Sequence, residues 1–559
     1  MRIAHSSKLK IFMSFILFMA FVCQNNVDAQ SVKNKKKKRK TEEVVKPKKP
    51  KKSVATLTKS SKKIEGLFTI FQDTVSGDLK MLIKKDQLDK DYIYFSQIAD
   101  GVTEAGKFRG AYSGSSIFHI KKYFNKIDFY VPNTSFFFDE NNPISRASEA
   151  NISDAIVSSS KILFADDKND EYLIDATGLF LSEELTRIKG PRFPGQSPLA
   201  FSLGRFDKKK SKVEEIKNYP ENTNIKTEYV FSNPSVLNGG SNAVTDGRNV
   251  SIKVFHTFMN MPENDYTMRM DDPRVGYFLT ETNDMTTTST VNYRDLIHRW
   301  KLIKKDSNAE LSEPVTPITW WIENTTPLEW RETIKEGVLA WNIAFEKAGF
   351  KNAMVVKVQP DDAEWDAGDV RYNVLRWTSS PNPPFGGYGP SFVNPRTGEI
   401  LGADIMLEFV HFTNRVFGDK LYDDASSNMS LETQEELEFK KSIEHPNFMF
   451  CSAGHVLHEN MQLGNTILEV TNASTTEMER MKKEGMKSLI MHEIGHTLGL
   501  NHNMKASQVY SPDQLSNADF IKGKALTGSV MDYAGINLTN DRSKQGQYYD
   551  MSVGPYDVW

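Results

Sequence analysis

"MHEIGHTLGLNHN", Met491–Asn503, gathers three of the chain's eleven histidines into one short stretch. Residues four apart on a helix share a face, so His492 and His496 can present two imidazoles to one ion. Farther along the same helix a third ligand would point away. Gly499 removes that obstacle, because glycine takes the left-handed conformation that ends a helix and lets His502 turn back. Catalytic zinc takes three protein ligands and keeps a fourth position for water. Glu493 lies beside the first ligand but is rotated off it, so its carboxylate reaches that water rather than the ion. It is then placed to act as general base and later as general acid. Zn2+ is the expected cofactor. No cysteine or histidine at a neighbouring spacing supplies a closing fourth ligand, which favours a hydrolytic site over a structural one.

The surrounding pattern is α+β. Thr476 and Glu479 form an expected capping box for the helix that carries the motif. Met486, Ile490, Ile494 and Leu498 make its apolar stripe. Upstream, "ITWWIE" reads as a strand. A helix then opens at Thr326–Pro327, carries Trp330, Ile334, Val338, Trp341 and Phe345 on one face, and closes at Gly349. Further strands follow in "AMVVKV", "VRYNVLRW" and "RTGEILGADIMLEF". Strands and long helices in separate runs are the mark of an α+β domain, expected over residues 306–559. Residues 64–305 read instead as antiparallel β-structure, with period-two runs such as "NVSIKVFHTFM" and "NKIDFYVP" between turn clusters.

At 559 residues the chain is too long for one core. Arg2, Lys8 and Lys10 precede the apolar run Ile11–Val22, and Val27 and Ala29 suit cleavage near Ala29. Residues 1–29 are therefore an expected signal peptide, and the protein an exported one, periplasmic, cell-surface or extracellular. A run of twelve residues is too short to span a bilayer. Cleavage removes Cys23, leaving Cys451 without a disulfide partner.

Residues 30–63, with runs such as "KNKKKKRK" (Lys33–Lys40), read as a basic low-complexity linker. It can make electrostatic contact with an anionic cell surface through residues 33–63. Net charge is −2, so a basic tail hides an acidic remainder, which argues against a nucleic-acid partner.

The constellation His-Glu-x-x-His-x-x-Gly-x-x-His resembles the metzincin metallopeptidases. That resemblance implies a zincin fold with a mixed sheet, a long backing helix and an active-site helix. It also implies a methionine turn beneath the ion, for which "SVMDY" (Ser529–Tyr533) supplies Met531. In the astacin- and serralysin-like branches the tyrosine two positions later assists the oxyanion, and Tyr533 holds that place. "AWNIAFEKAGFKNAMVV", "NPRTGEILGADIML" and "GPYDVW" further resemble large secreted bacterial zinc-dependent metallopeptidases with β-rich N-terminal domains. The strand Leu401–Leu407, with Gly402, Ala403 and Asp404, is then the expected cleft edge that pairs with an extended peptide. Metzincins continue past the methionine turn into a further helix. The short tail here predicts a chain truncated at its C-terminus.

Other residues receive plain structural readings. Cys451 is expected to be a small buried side chain. His455, His458 and Glu459 belong to a surface helix, and His411 and His445 lack partners at telling spacings. Asp271 and Asp272 suit a turn. The expected function is an exported zinc endopeptidase acting on protein or peptide substrates. A non-peptide amide hydrolase with the same ligands and a catalytically silent surface-binding protein are the alternatives. Oligomeric state, bond preference and the fate of the N-terminal region are not legible in the sequence.

Overall fold

Alternation builds the N-terminal half. In the strand Asn249–Asn260, Val250 and Ile252 are buried while Ser251 is exposed, and from Val254 to Phe258 every side chain is buried. The change from alternation to continuous burial marks where a second layer covers the strand's other face. Twelve such strands form one sheet, antiparallel at every pairing. The computed structural model describes residues 52–190, 200–381, 387–412, 451 and 453–559. The expected signal peptide, the basic stretch to residue 51 and His445 lie outside them. Within the expected linker, Ser61–Ile64 is a strand paired with Thr69–Asp73, so the sheet begins before residue 64.

A seven-stranded sheet organises the C-terminal half. Its strands Ile318–Ile322, Met354–Val358, Asn373–Thr378 and Glu399–Glu408 run parallel. Arg299–Trp300 joins them in parallel beside Glu399–Ile400, so this sheet takes a strand from before the expected boundary at 305/306. Gly387–Tyr388 and Ser391–Val393 pair antiparallel with Glu399–Glu408.

One face of this sheet carries Trp320, Ala403, Ile405 and Leu407 against the helices Leu328–Leu339 and Thr475–Thr497, whose Ile334, Val338, Ile490 and Ile494 complete the core. The opposite face meets the large sheet, with Phe392 stacked on Phe95 at 4.7 Å and Met406 beside Phe108. The architecture is α+β, with helices on one side of the seven-stranded sheet and β-structure on the other.

Three sequence expectations need correction. The helix expected to run to Gly349 ends at Leu339 and resumes at Asn342–Lys347. At the break the Trp341 indole donates to the Met491 carbonyl at 2.9 Å, and Asn342 pairs with the Met354 backbone. The motif helix is capped by Ser474, whose hydroxyl accepts from Glu477 N, rather than by Thr476 and Glu479. The strand expected at the cleft edge is interior, flanked by Asn373–Thr378 on one side and Gly387–Val393 on the other. Gly402, Ala403 and Asp404 are accordingly buried. The Asp404 carboxylate accepts from Gln97 Nε2 and Val374 N, and burial, opposed by Arg376, pushes its pKa up to about 7.

Candidate metal centre

The helix Thr475–Thr497 delivers His492 and His496 from successive turns, both nearly fully buried. Gly499 ends the turn with φ +101°, and a Cβ there would overlap the His298 carbonyl oxygen. His502 returns as expected, with His496 Nε2 3.1 Å from His502 Nε2. His492 Nδ1 donates to the Val530 carbonyl at 2.6 Å, and His496 Nδ1 donates to the Leu500 carbonyl at 2.9 Å. A proton held on Nδ1 leaves the Nε2 lone pair free to bind an ion, the usual second-shell device of metal sites.

Burial lowers the pKa of all three rings: His492 to about 3, helped by the neighbouring His502 imidazole; His496 well below its ordinary value; and His502 to about 4. Neutral imidazole is the form a metal requires. Zinc bond lengths of about 2.0 Å to nitrogen put tetrahedral ligand atoms roughly 3.3 Å apart, close to the spacing of His496 and His502. The donor set fits zinc.

Met531 lies beneath. It is fully buried, and a Cβ on Gly495 would overlap its sulfur, so the glycine between the two helical histidines lets the methionine turn approach. Tyr533 places its hydroxyl 2.9 Å from His502 Nε2. Glu493 is 0 % exposed, and neither of its carboxylate oxygens has a hydrogen-bond partner among the described residues. Burial, opposed by the neighbouring Cys451 thiol, pushes its pKa up to about 8. Gly387 of the antiparallel strand lies directly over it, so close that a Cβ there would overlap Glu493 Oε1.

Three features at this site escaped the sequence reading. Cys451 is more than a buried filler: its sulfur lies 3.2 Å from His492 Nε2, and its ligand atom and those of His492, His496 and His502 all fall within 4.8 Å of one another. Burial and the Glu493 carboxylate push the thiol's pKa up, a situation that an adjacent cation reverses. Gly276–Phe278, just past the Asp271–Asp272 turn, pairs with the third-ligand turn, with Phe278 N donating to Gly499 O at 2.8 Å and Asn501 N to Gly276 O at 3.0 Å. The Phe278 ring also faces His496 at 5.5 Å. Finally, Gly387–Tyr388 and Ser391–Val393 pair antiparallel with Glu399–Glu408, and Gly387 lies over Glu493. Their signal was the glycine-rich "GGYGP", which permits close backbone approach.

Residues 474–559 match a family model described as Met-zincin. Over this stretch the chain is similar to the Met-zincins. Residues 110–305 match a model described as a domain of unknown function (DUF5117). No curated protein and no solved structure matches the chain. The Met-zincin match covers both helical ligands, His502, Glu493 and the methionine turn, while Cys451 and the strands Gly387–Tyr388 and Ser391–Val393 lie upstream of it.

Proposed function

We propose that the protein is an exported, zinc-dependent endopeptidase. The observation that carries this reading is Glu493: a fully buried carboxylate with no well-formed hydrogen bond among the described residues, set beside three converging imidazoles. Leaving such a group unpaired is costly unless it has work to do. Zinc held by His492, His496 and His502 would polarise a carbonyl and bring the pKa of water to about 7.

The chain's own groups do the rest. The Glu493 carboxylate takes a proton from the attacking water and passes it to the nitrogen of the departing amine. The Tyr533 hydroxyl, held at the rim beside His502, donates to the oxygen that gains charge. The antiparallel strands Gly387–Tyr388 and Ser391–Val393 offer the edge along which an extended peptide would lie. The Val530 and Leu500 carbonyls keep both helical imidazoles oriented throughout.

The reading is tested by comparing wild type and Glu493→Gln for zinc content and for digestion of an unfolded protein. Equal zinc with digestion abolished supports it, and equal digestion overturns it. One observation favours a second reading, a catalytically silent zinc site: the Cys451 sulfur stands where a closing fourth ligand would stand. Export rests on the N-terminal segment and is tested by whether the mature protein begins near Gln30.

A further inference from the structure

We propose that Cys451 is the fourth ligand of the metal centre and occupies the position the reaction needs, so that the conformation described is a closed form of the site. This rests on the zinc peptidase reading above. Zinc bonds of about 2.3 Å to sulfur and 2.0 Å to nitrogen separate tetrahedral ligands by roughly 3.5 Å, and Cys451 Sγ lies 3.2 Å from His492 Nε2. Tyr533 Oη, the group assigned to the oxyanion, is 3.6 Å from the same sulfur. The thiol is therefore ringed by the groups that would surround an attacking water and the carbonyl it meets.

Glu493 is the second observation: its carboxylate neighbours the Cys451 thiol without meeting it in a well-formed hydrogen bond. A permanently closed zinc site has no use for a buried carboxylate lacking a well-formed hydrogen bond among the described residues. A hydrolytic site whose water position is filled by sulfur leaves its general base in that unpaired state. Cys451 is also the one free cysteine among the described residues, and it is buried, so no disulfide competes for it. It lies in the C-terminal half, just ahead of the helix Ala453–Val470, and is not part of the β-rich region.

Cobalt(II) substitution of the full chain tests the ligand directly. Wild type is expected to show a near-ultraviolet sulfur-to-cobalt charge-transfer band. The band should vanish in Cys451→Ser and Cys451→Ala while both variants still bind one equivalent of cobalt. In zinc-loaded protein, Cys451→Ala is expected to digest unfolded protein about tenfold faster or more, the inverse of the fraction of wild-type molecules whose site is open.

Bound cobalt in wild type without the band overturns the ligand assignment, and that measurement needs no variant to fold. If the band behaves as expected but Cys451→Ala digests no faster, while Glu493→Gln in that background still abolishes digestion, the closed-form claim is overturned. If the band behaves as expected and no variant digests anything, the ligand assignment stands and the peptidase reading fails.

Discussion

His492 is aimed by a chain of contacts that ends far along the sequence, at Asp557. Its Nδ1 proton goes to the Val530 carbonyl, and the Val530 amide donates in turn to Asp557 at 2.9 Å. Asp557 also accepts from the Ser529 hydroxyl and from Gly554 N. Asp557→Ala is expected to weaken zinc binding by about 10- to 100-fold, as loss of outer-shell partners does, measured by competition with a chromophoric chelator. Unchanged affinity would show that the methionine turn holds itself.

At this scale the sequence was most legible where chemistry and helix geometry coincide. His492, Glu493 and His496 follow from spacing alone, and the return of His502 follows from Gly499. Cys451 was illegible because it meets His492 across 41 positions, where no periodicity operates. Asp557 was illegible for the same reason, since a carboxylate beside a turn has no signature until the turn is placed.

Between elements, close approach is bought with glycine. A Cβ on Gly337 would lie 2.7 Å from the Cβ of Ile490, where the helix Leu328–Leu339 crosses the motif helix. Alanine gains about 1 kcal/mol of helix propensity, but overpacking a filled core costs about 1–3 kcal/mol, so Gly337→Ala is expected to destabilise the protein. Urea unfolding checks the sign, and a rise in stability would mean that the helices can separate freely.

The strand Asn249–Asn260 makes a different prediction. His256 is fully buried, bonded to the hydroxyls of Tyr94 and Tyr229, and burial lowers its pKa from 6.5 to about 3. Between those values the unfolded chain binds a proton that the folded one refuses. Its contribution to stability is therefore complete above about pH 6.5 and is lost progressively as pH falls toward 3. His256→Gln keeps hydrogen-bonding capacity without titrating, and its melting temperature is expected to fall less steeply across that range. Identical slopes would contradict this.

Strand identity was readable from alternation, but strand neighbours were not. The near-continuous apolar run in "ILGADIML" fits an interior strand, and the two-residue strand Gly387–Tyr388 beside it has no run at all.

Across the whole molecule, the β-rich half supports the Met-zincin segment, and a bound ion would add to that support. Because a metal that binds only the folded state adds RT ln(1 + [L]/Kd), a thousandfold excess over Kd contributes about 4 kcal/mol. Chelation is accordingly expected to lower the melting temperature, and re-added zinc to restore it. An unchanged melt would separate the site from the fold. Fold class and the two-part layout were legible from composition and periodicity. The docking of one part on the other was not, because the contacts of Phe278, Gly276 and Trp300 carry no local pattern.

Those contacts bear on how such a protein could be matured. Arg299–Trp300 is a strand of the seven-stranded sheet, and Gly276–Phe278 braces the turn that returns His502. A processing cut near residue 305 that discarded everything before it would strip both supports and leave Cys451 where it is. Such trimming would disarm the protein instead of awakening it, and a fragment spanning 306–559, expressed alone, should bind zinc poorly and melt early.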